Sequence, residues 1–358
     1  MNIDNLLHNL PPFKQNINIK NAVTEYAAKF MNCKETDILF ETPCKEIFEF
    51  INETTKCLIR AEKAFLSGDI ISCHTEIANL IYQQLNQFNL SCKIETGKIF
   101  YRMRENNTGY LYSKEEMFHI PFGLNRLVGN QRFSVAGHPS LYLGNSIYVC
   151  WEECNRPKFD TANVVALRTK RELKLLDLRM PTAINSIDVL YRIPLIIASS
   201  IKTKDSNSPF KPEYIISQAI LHAIVNQNRK SNERDYDGVI YYSTRLSSNQ
   251  KLFNNNELFE NIVIPTGSKI LGEGGDYVYF EDGFCPVLCN HFEISKTISQ
   301  SIQKMTERTT IFDDGGLDDE YKASVLGSME FSLSTNTKWE NISPNKFFRI
   351  NPSELNKY

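Results

Sequence analysis

The strongest constraint on this chain is a change of hydrophobic rhythm near residue 96. Before that point apolar residues recur at helical spacing. Ile19, Ala22, Val23, Tyr26, Ala27 and Phe30 follow the i, i+3, i+4 rule in one segment. Ile47, Phe50, Ile51, Leu58, Ala61 and Phe65 mark a second, and Ile77, Leu80, Ile81, Leu85 and Phe88 a third. Ser67-Gly68-Asp69 supplies the turn between the last two. After residue 96 the helical stripe gives way to short runs rich in β-branched and aromatic residues. The runs 98–103 (KIFYRM), 140–143 (SLYL), 163–167 (NVVAL), 238–242 (GVIYY) and 261–265 (NIVIP) predict strands. Helical patterns fall between them at 145–155, 183–200 and 212–229. The switch predicts a helical module over 1–95, a mixed α+β domain over 96–295 and a polar extension over 296–358. No internal repeat or coiled coil is present.

Composition narrows the function classes. With 358 residues the chain has room for one large domain or two modest ones. Lys+Arg 40 against Asp+Glu 42 gives a net charge of -2, which argues against a general nucleic-acid binder but leaves room for a local basic pocket. The nine cysteines include no Cys-x-x-Cys pair, so neither a zinc ribbon nor a disulfide framework is expected. Cys150/Cys154 and Cys285/Cys289, each four apart, read as buried thiols rather than metal ligands. The N-terminus carries Asp4 and no basic-then-apolar leader. The most apolar stretch, 193–201, is bounded by Arg192 and Lys202 and falls far short of the ~20 residues that span a bilayer. The expectation is a soluble cytoplasmic protein in a reducing compartment, with no membrane partner.

Most motifs have ordinary readings. Gly272-Glu273-Gly274-Gly275 precedes the strand-like 277–280 (YVYF), so it reads as a hairpin turn rather than a phosphate loop. The acidic run 313–320 (DDGGLDDE) lacks the ligand alternation of a calcium loop. The six histidines show no metal-ligand spacing, and no Gly-x-Ser-x-Gly elbow occurs. The stretch 100–153 is different. Arg102 lies among Phe100, Tyr101 and Met103, and an arginine in an apolar strand is costly unless it meets an anion. A carboxylate across the sheet would serve equally well. Arg132, in a loop of small residues, can fork onto phosphate oxygens or remain an exposed charge. Glu152 and Glu153 follow Trp151, where partial desolvation tunes a carboxylate, although two surface glutamates on a helix are the commoner case. Ser243 closes the 238–242 run, a place where serines mostly just end strands.

Taken in order, FYRMR, RFSVAGHPSLYLG, a short helix ending in WEE, YIISQAI, DGVIYYS and KLF resemble the RES domain family, named for its Arg, Glu and Ser. The resemblance covers roughly residues 97–265. The family includes toxins of bacterial toxin–antitoxin pairs. It implies an ADP-ribosyltransferase-like fold, here an α+β mixed-sheet domain preceded by a small helical domain. It also implies a reaction that breaks the nicotinamide–ribose bond of NAD⁺ with water or inorganic phosphate as acceptor. Carried over, the catalytic trio is Arg102, Glu153 and Ser243. Tyr142 takes the aromatic position facing nicotinamide, and Arg132 the loop arginine before the LYL strand. The double glutamate leaves Glu152 as the alternative to Glu153. The sequence departs from the family at Asn130 and Gln131, where glycines are usual, and at Ser134, where Asn is common, which bears on the acceptor.

The residue types suit this chemistry. Nicotinamide departs as a neutral molecule from a cationic ring, so the barrier lies in the positive charge that builds at the ribose carbon. One carboxylate, Glu153, stabilises that charge; guanidinium groups grip the pyrophosphate; Tyr142 stacks on the nicotinamide; Ser243 orients the glutamate or a phosphate. NAD⁺ is the expected small-molecule partner and substrate, inorganic phosphate the alternative co-substrate. No resident cofactor or metal is expected. The family implies a neutralising antitoxin or immunity protein, and self-association stays among the expectations. Two other readings stand beside this one: an ADP-ribosyltransferase modifying a macromolecule, and a catalytically silent nucleotide- or partner-binding protein.

Overall fold

A computed structural model describes residues 17–30, 38–181, 184–230, 235–245, 259–266, 283–299, 321, 324–335 and 337–344. The fold is α+β. In chain order its elements are α1 (Ile19–Phe30), β1 (Ile38–Leu39), β2 (Thr42–Pro43), α2 (Cys44–Leu66), α3 (Ile70–Asn79), β3 (Ser91–Ile94), β4 (Ile99–Glu105) and β5 (Ser140–Gly144). Then follow α4 (Ile147–Glu153), β6 (Ala162–Thr169), β7 (Leu173–Asp177), α5 (Ile187–Ser199), α6 (Ile215–Lys230), β8 (Gly238–Tyr242) and β9 (Glu260–Pro265). The last elements are α7 (Pro286–His291), β10 (Phe292–Ile294) and α8 (Val325–Thr335). The chain forms two compact units from interleaved segments. The first comprises Met1–Cys92, Asn130–Val135 and Leu176–Ser247; the second comprises Lys93–Gly129, Ala136–Leu175 and Ser248–Tyr358.

The first unit is mainly helical. The expected apolar stripe of α1 is buried from Ile19 to Phe30 and faces α2 and α5. Gly68 sits at φ 89, the left-handed region that glycine enters without penalty. Asp69 then caps α3 by accepting the Ser72 N–H at 3.0 Å. The apolar stretch beginning at Ile193 forms the buried second half of α5, where Ile193 to Ser199 are all inaccessible. Phe50, Phe88 and Tyr191 cluster with ring centroids 4.1–5.4 Å apart. The order β8–β7–β3 brings main-chain bonds from Leu178 N–H to Ile240 O and from Asp177 N–H to Leu90 O.

The second unit is built on a sheet ordered β10–β6–β4–β5–β9. Its four strand pairs are antiparallel. β4 runs along β6 from Ile99↔Arg168 to Glu105↔Ala162 and touches β5 at Tyr101↔Gly144. β5 pairs with β9 from Ser140↔Pro265 to Gly144↔Asn261. β6 is apolar almost throughout and buried along most of its length, so it lies at the heart of this unit's core. The glycine-rich run at 272–275, YVYF, the KLF block at 251–253 and the acidic run at 313–320 lie outside the described residues.

Candidate functional site

In FYRMR, Phe100 is buried and Arg102, two residues on and so on the same face of the strand, is half-buried in the middle of β4. Its Nη1 donates to the Tyr142 carbonyl on β5 at 2.9 Å. Its Nε is buried without a hydrogen-bond partner, and no carboxylate among the described residues pairs with it. Burial first, and the like charge of Arg104 second, push the guanidinium down to about 10, so it remains cationic at neutral pH. Arg104 is engaged elsewhere: it donates to the Glu116 carbonyl and lies 4.6 Å from the Tyr112 ring centroid. A desolvated cation with an unsatisfied donor costs several kcal/mol, on the order of what a bound anion would return.

Helix α4 is drawn tightly onto this strand pair. A Cβ on Gly144 would stand 2.5 Å from Val149 Cγ1 and 2.7 Å from Cys150 Sγ, so only glycine fits there. Cys150 Sγ donates to the Tyr101 carbonyl at 3.2 Å and Cys154 Sγ to the Met103 carbonyl at 3.5 Å. The four-residue cysteine spacing thus serves to seat a helix face on β4. The last turn of α4 carries the two glutamates, and they differ. Glu152 is buried and forked by Arg156, with Nε–Oε2 at 2.9 Å and Nη2–Oε1 at 2.8 Å. Arg156 reaches it from a left-handed backbone, φ 56, preceded by Asn155 at φ 62, and its guanidinium lies 5.4 Å from the Trp151 ring centroid. Glu153 instead accepts a hydrogen bond from the Asn261 side-chain amide of β9, Nδ2 to Oε1, at 3.0 Å.

Arg102, Tyr142, Glu152 and Glu153 therefore belong to the second unit. The structure joins Arg102 to the Tyr142 main chain and ties Glu153 to the strand that pairs with β5. Arg132 and Ser243 belong to the first unit. There Arg132 Nη1 donates to the carbonyls of Ser199 at 2.8 Å and Ile201 at 3.2 Å, Nη2 donates to Thr244 Oγ1, and the guanidinium lies 5.3 Å from the Tyr214 ring centroid. Its fork thus meets the end of α5 and the residue after Ser243. Ser243 itself is buried at the end of β8, and its Oγ accepts the Arg245 N–H at 3.3 Å. Asn261 and Arg156 are functional candidates that the sequence did not single out. Asn261 had a signal: an amide opening the otherwise apolar run NIVIP is unusual in a buried strand. Arg156 had none, because its reach depends on two residues at positive φ.

Among the described residues no group of three or more His, Cys, Asp or Glu could hold a metal ion, and the eight cysteines are free thiols. No described helix is long and apolar enough to cross a membrane.

The second unit thus holds a half-buried arginine on a central strand, an aromatic residue on the next and glutamates closing the short helix after it. Residues 100–271 match the family model of the RES domain. Over 356 aligned residues the chain is also 26% identical to a protein of Bacillus subtilis (strain 168) named "Putative toxin YopC", with 88% of this chain and 74% of that protein covered. No solved structure matches the chain.

Proposed function

We propose that this protein is an NAD⁺-degrading enzyme that cleaves the nicotinamide–ribose bond and acts as a growth-arresting toxin or defence effector. The observation that carries the reading is the half-buried Arg102, whose buried Nε lacks a partner, bonded to the Tyr142 carbonyl and in the same unit as the Asn261-held Glu153. The RES match and the toxin name of the relative support the same direction. Arg102 provides the charge for the pyrophosphate and Tyr142 the ring for the nicotinamide. As the C–N bond breaks, its electron pair leaves with nicotinamide, which becomes neutral without taking up a proton. Glu153 faces the oxocarbenium-like ribose and offsets its charge, an effect on the order of several kcal/mol. An oxygen of water or phosphate then bonds to the ribose carbon, releasing its proton in the case of water. Ser243 and Arg132 enter through the family alone. A neutralising antitoxin or immunity protein is the proposed macromolecular partner.

The test is incubation of purified protein with NAD⁺, with and without inorganic phosphate, followed by mass analysis of the products. Free nicotinamide with ADP-ribose marks water as acceptor; nicotinamide with ADP-ribose phosphate marks phosphate. Glu153→Ala is expected to lose nicotinamide release. Label transferred from NAD⁺ to a macromolecule would replace this reading with that of an ADP-ribosyltransferase, and intact NAD⁺ after hours would leave a binding protein.

A further inference from the structure

Helix α4 is only seven residues long, too short to hold itself, yet it carries Glu153 in its last turn. Its first N–H groups need acceptors that the helix cannot provide. Ser146 supplies two: its Oγ accepts the Val149 N–H at 3.0 Å, and its carbonyl accepts the Cys150 N–H at 3.4 Å. The other two come from beyond residue 271, where the RES match ends. Glu330 Oε1, on α8, accepts the Ile147 N–H. The Tyr321 hydroxyl accepts the Tyr148 N–H at 3.3 Å and donates to the same Glu330 oxygen. The carboxylate and the phenol form one relay across the entrance of the helix.

We propose that Glu330 and Tyr321 are positioning residues. They fix the N-terminal turn of α4, and through the rigid short helix they fix Glu153 against Asn261, so the C-terminal segment completes the site of the RES domain. The catalytic part of this inference rests on the NAD⁺-degrading reading above; the helix-holding part does not. A carboxylate in this place is poorly chosen for stability alone, because burial pushes the Glu330 carboxyl up to about 7. An apolar side chain would fill the space without that penalty. What it could not do is accept two hydrogen bonds at one point and set the angle of the helix. Misplacement of a reacting group by about 1 Å can lower a rate on the order of 10²-fold.

The experiment compares Glu330→Ala, Glu330→Gln and Tyr321→Phe with the parent protein by amide hydrogen exchange and by steady-state nicotinamide release. In Glu330→Ala the amides of 147–153 exchange at least tenfold faster while those of β6 keep their protection. Its kcat falls at least tenfold and its KM stays within twofold. Glu330→Gln keeps an acceptor oxygen and restores both readouts to within threefold of the parent. Tyr321→Phe, which removes one hydroxyl, shows the same changes to a smaller degree and serves if the alanine variant does not fold. Unchanged exchange at 147–153, unchanged kcat beside loosened amides, or equal loss in the Gln and Ala variants would each overturn the proposal. If the parent protein releases no nicotinamide, the NAD⁺ reading fails instead, and exchange alone decides whether the relay holds the helix.

Discussion

Glu152 and Glu153 are neighbours in the chain with different partners. Glu152 meets a guanidinium in a bidentate fork, and Glu153 meets the amide of Asn261. The spacing could not show this difference in partners, since on a sequence the two carboxylates are interchangeable. Glu153→Gln is expected to lower nicotinamide release about 10²–10³-fold, the scale of losing an electrostatic stabiliser of the transition state. Glu152→Gln should lower it less than about tenfold and act mainly on stability. That loss is about 1 kcal/mol, because Arg156 is itself mostly exposed. Equal losses in the two variants, measured by product release and urea unfolding, would contradict the assignment. Arg102 was legible as a residue in the wrong place, a charge inside an apolar run. Its unpaired Nε was not, because whether a strand arginine finds a carboxylate depends on which strands lie beside it.

At the scale of elements, the period of the apolar residues foretold the helices α1, α2, α5 and α6 and the strands β4, β5, β6, β8 and β9 within a few residues. Those are the elements whose buried face is long enough to print a pattern. β3, β7 and β10 escaped because they are short and mixed: SCKI, LKLLD and FEI contain too few alternations to declare a face. The β1–β2 hairpin escaped because Phe40 and Glu41 take the positive φ values, 51 and 63, that Asn-Gly would normally announce. The seating of α4 on β4 makes its own prediction. Gly144→Ala introduces a methyl group against Val149, Cys150 and the Ser146 carbonyl. It should destabilise the protein by about 1–3 kcal/mol, seen as a lower urea midpoint at unchanged m value, with activity falling alongside. Full stability in that variant would mean that α4 does not pack against Gly144.

For the molecule as a whole, two buried groups give stability a pH dependence of opposite signs. His119 accepts the Cys285 N–H on Nε2 at 2.9 Å, so Nδ1 carries the hydrogen given to the Ile120 carbonyl at 2.8 Å. Burial, with Arg102's charge adding to it, pushes its imidazole down to about 3. The unfolded chain therefore takes up this proton first, near the ordinary ~6.5. The stability it protects is whole above that pH and drains away as pH falls toward 3. Glu330 runs the other way. Raised to about 7, it keeps its proton longer in the folded state, so its contribution is whole below the ordinary ~4.3 and is lost as pH rises through 7. Urea unfolding against pH should show an acid loss below about 4.5, where the histidine effect is joined by that of Asp177, whose carboxyl is held low by Arg179 and Arg192. Glu330→Gln should remove the fall in stability above about 6.5 and gain about 3 kcal/mol at pH 7. A fall that persists in that variant would place the titrating group elsewhere.

The threading of the chain through its two units bears on any attempt to shorten it. The peptide leaves and re-enters each unit at 92/93, 129/130, 135/136, 175/176 and 247/248. A fragment stopping near residue 92 would lack α5 and α6, against which α1, α2 and α3 lay their apolar faces. Its complement would carry α5 and α6 stripped of that cover. Both pieces are expected to clump when expressed alone, whereas co-expression would let them find each other, so a split version of this protein would behave as an assembly device rather than as two modules.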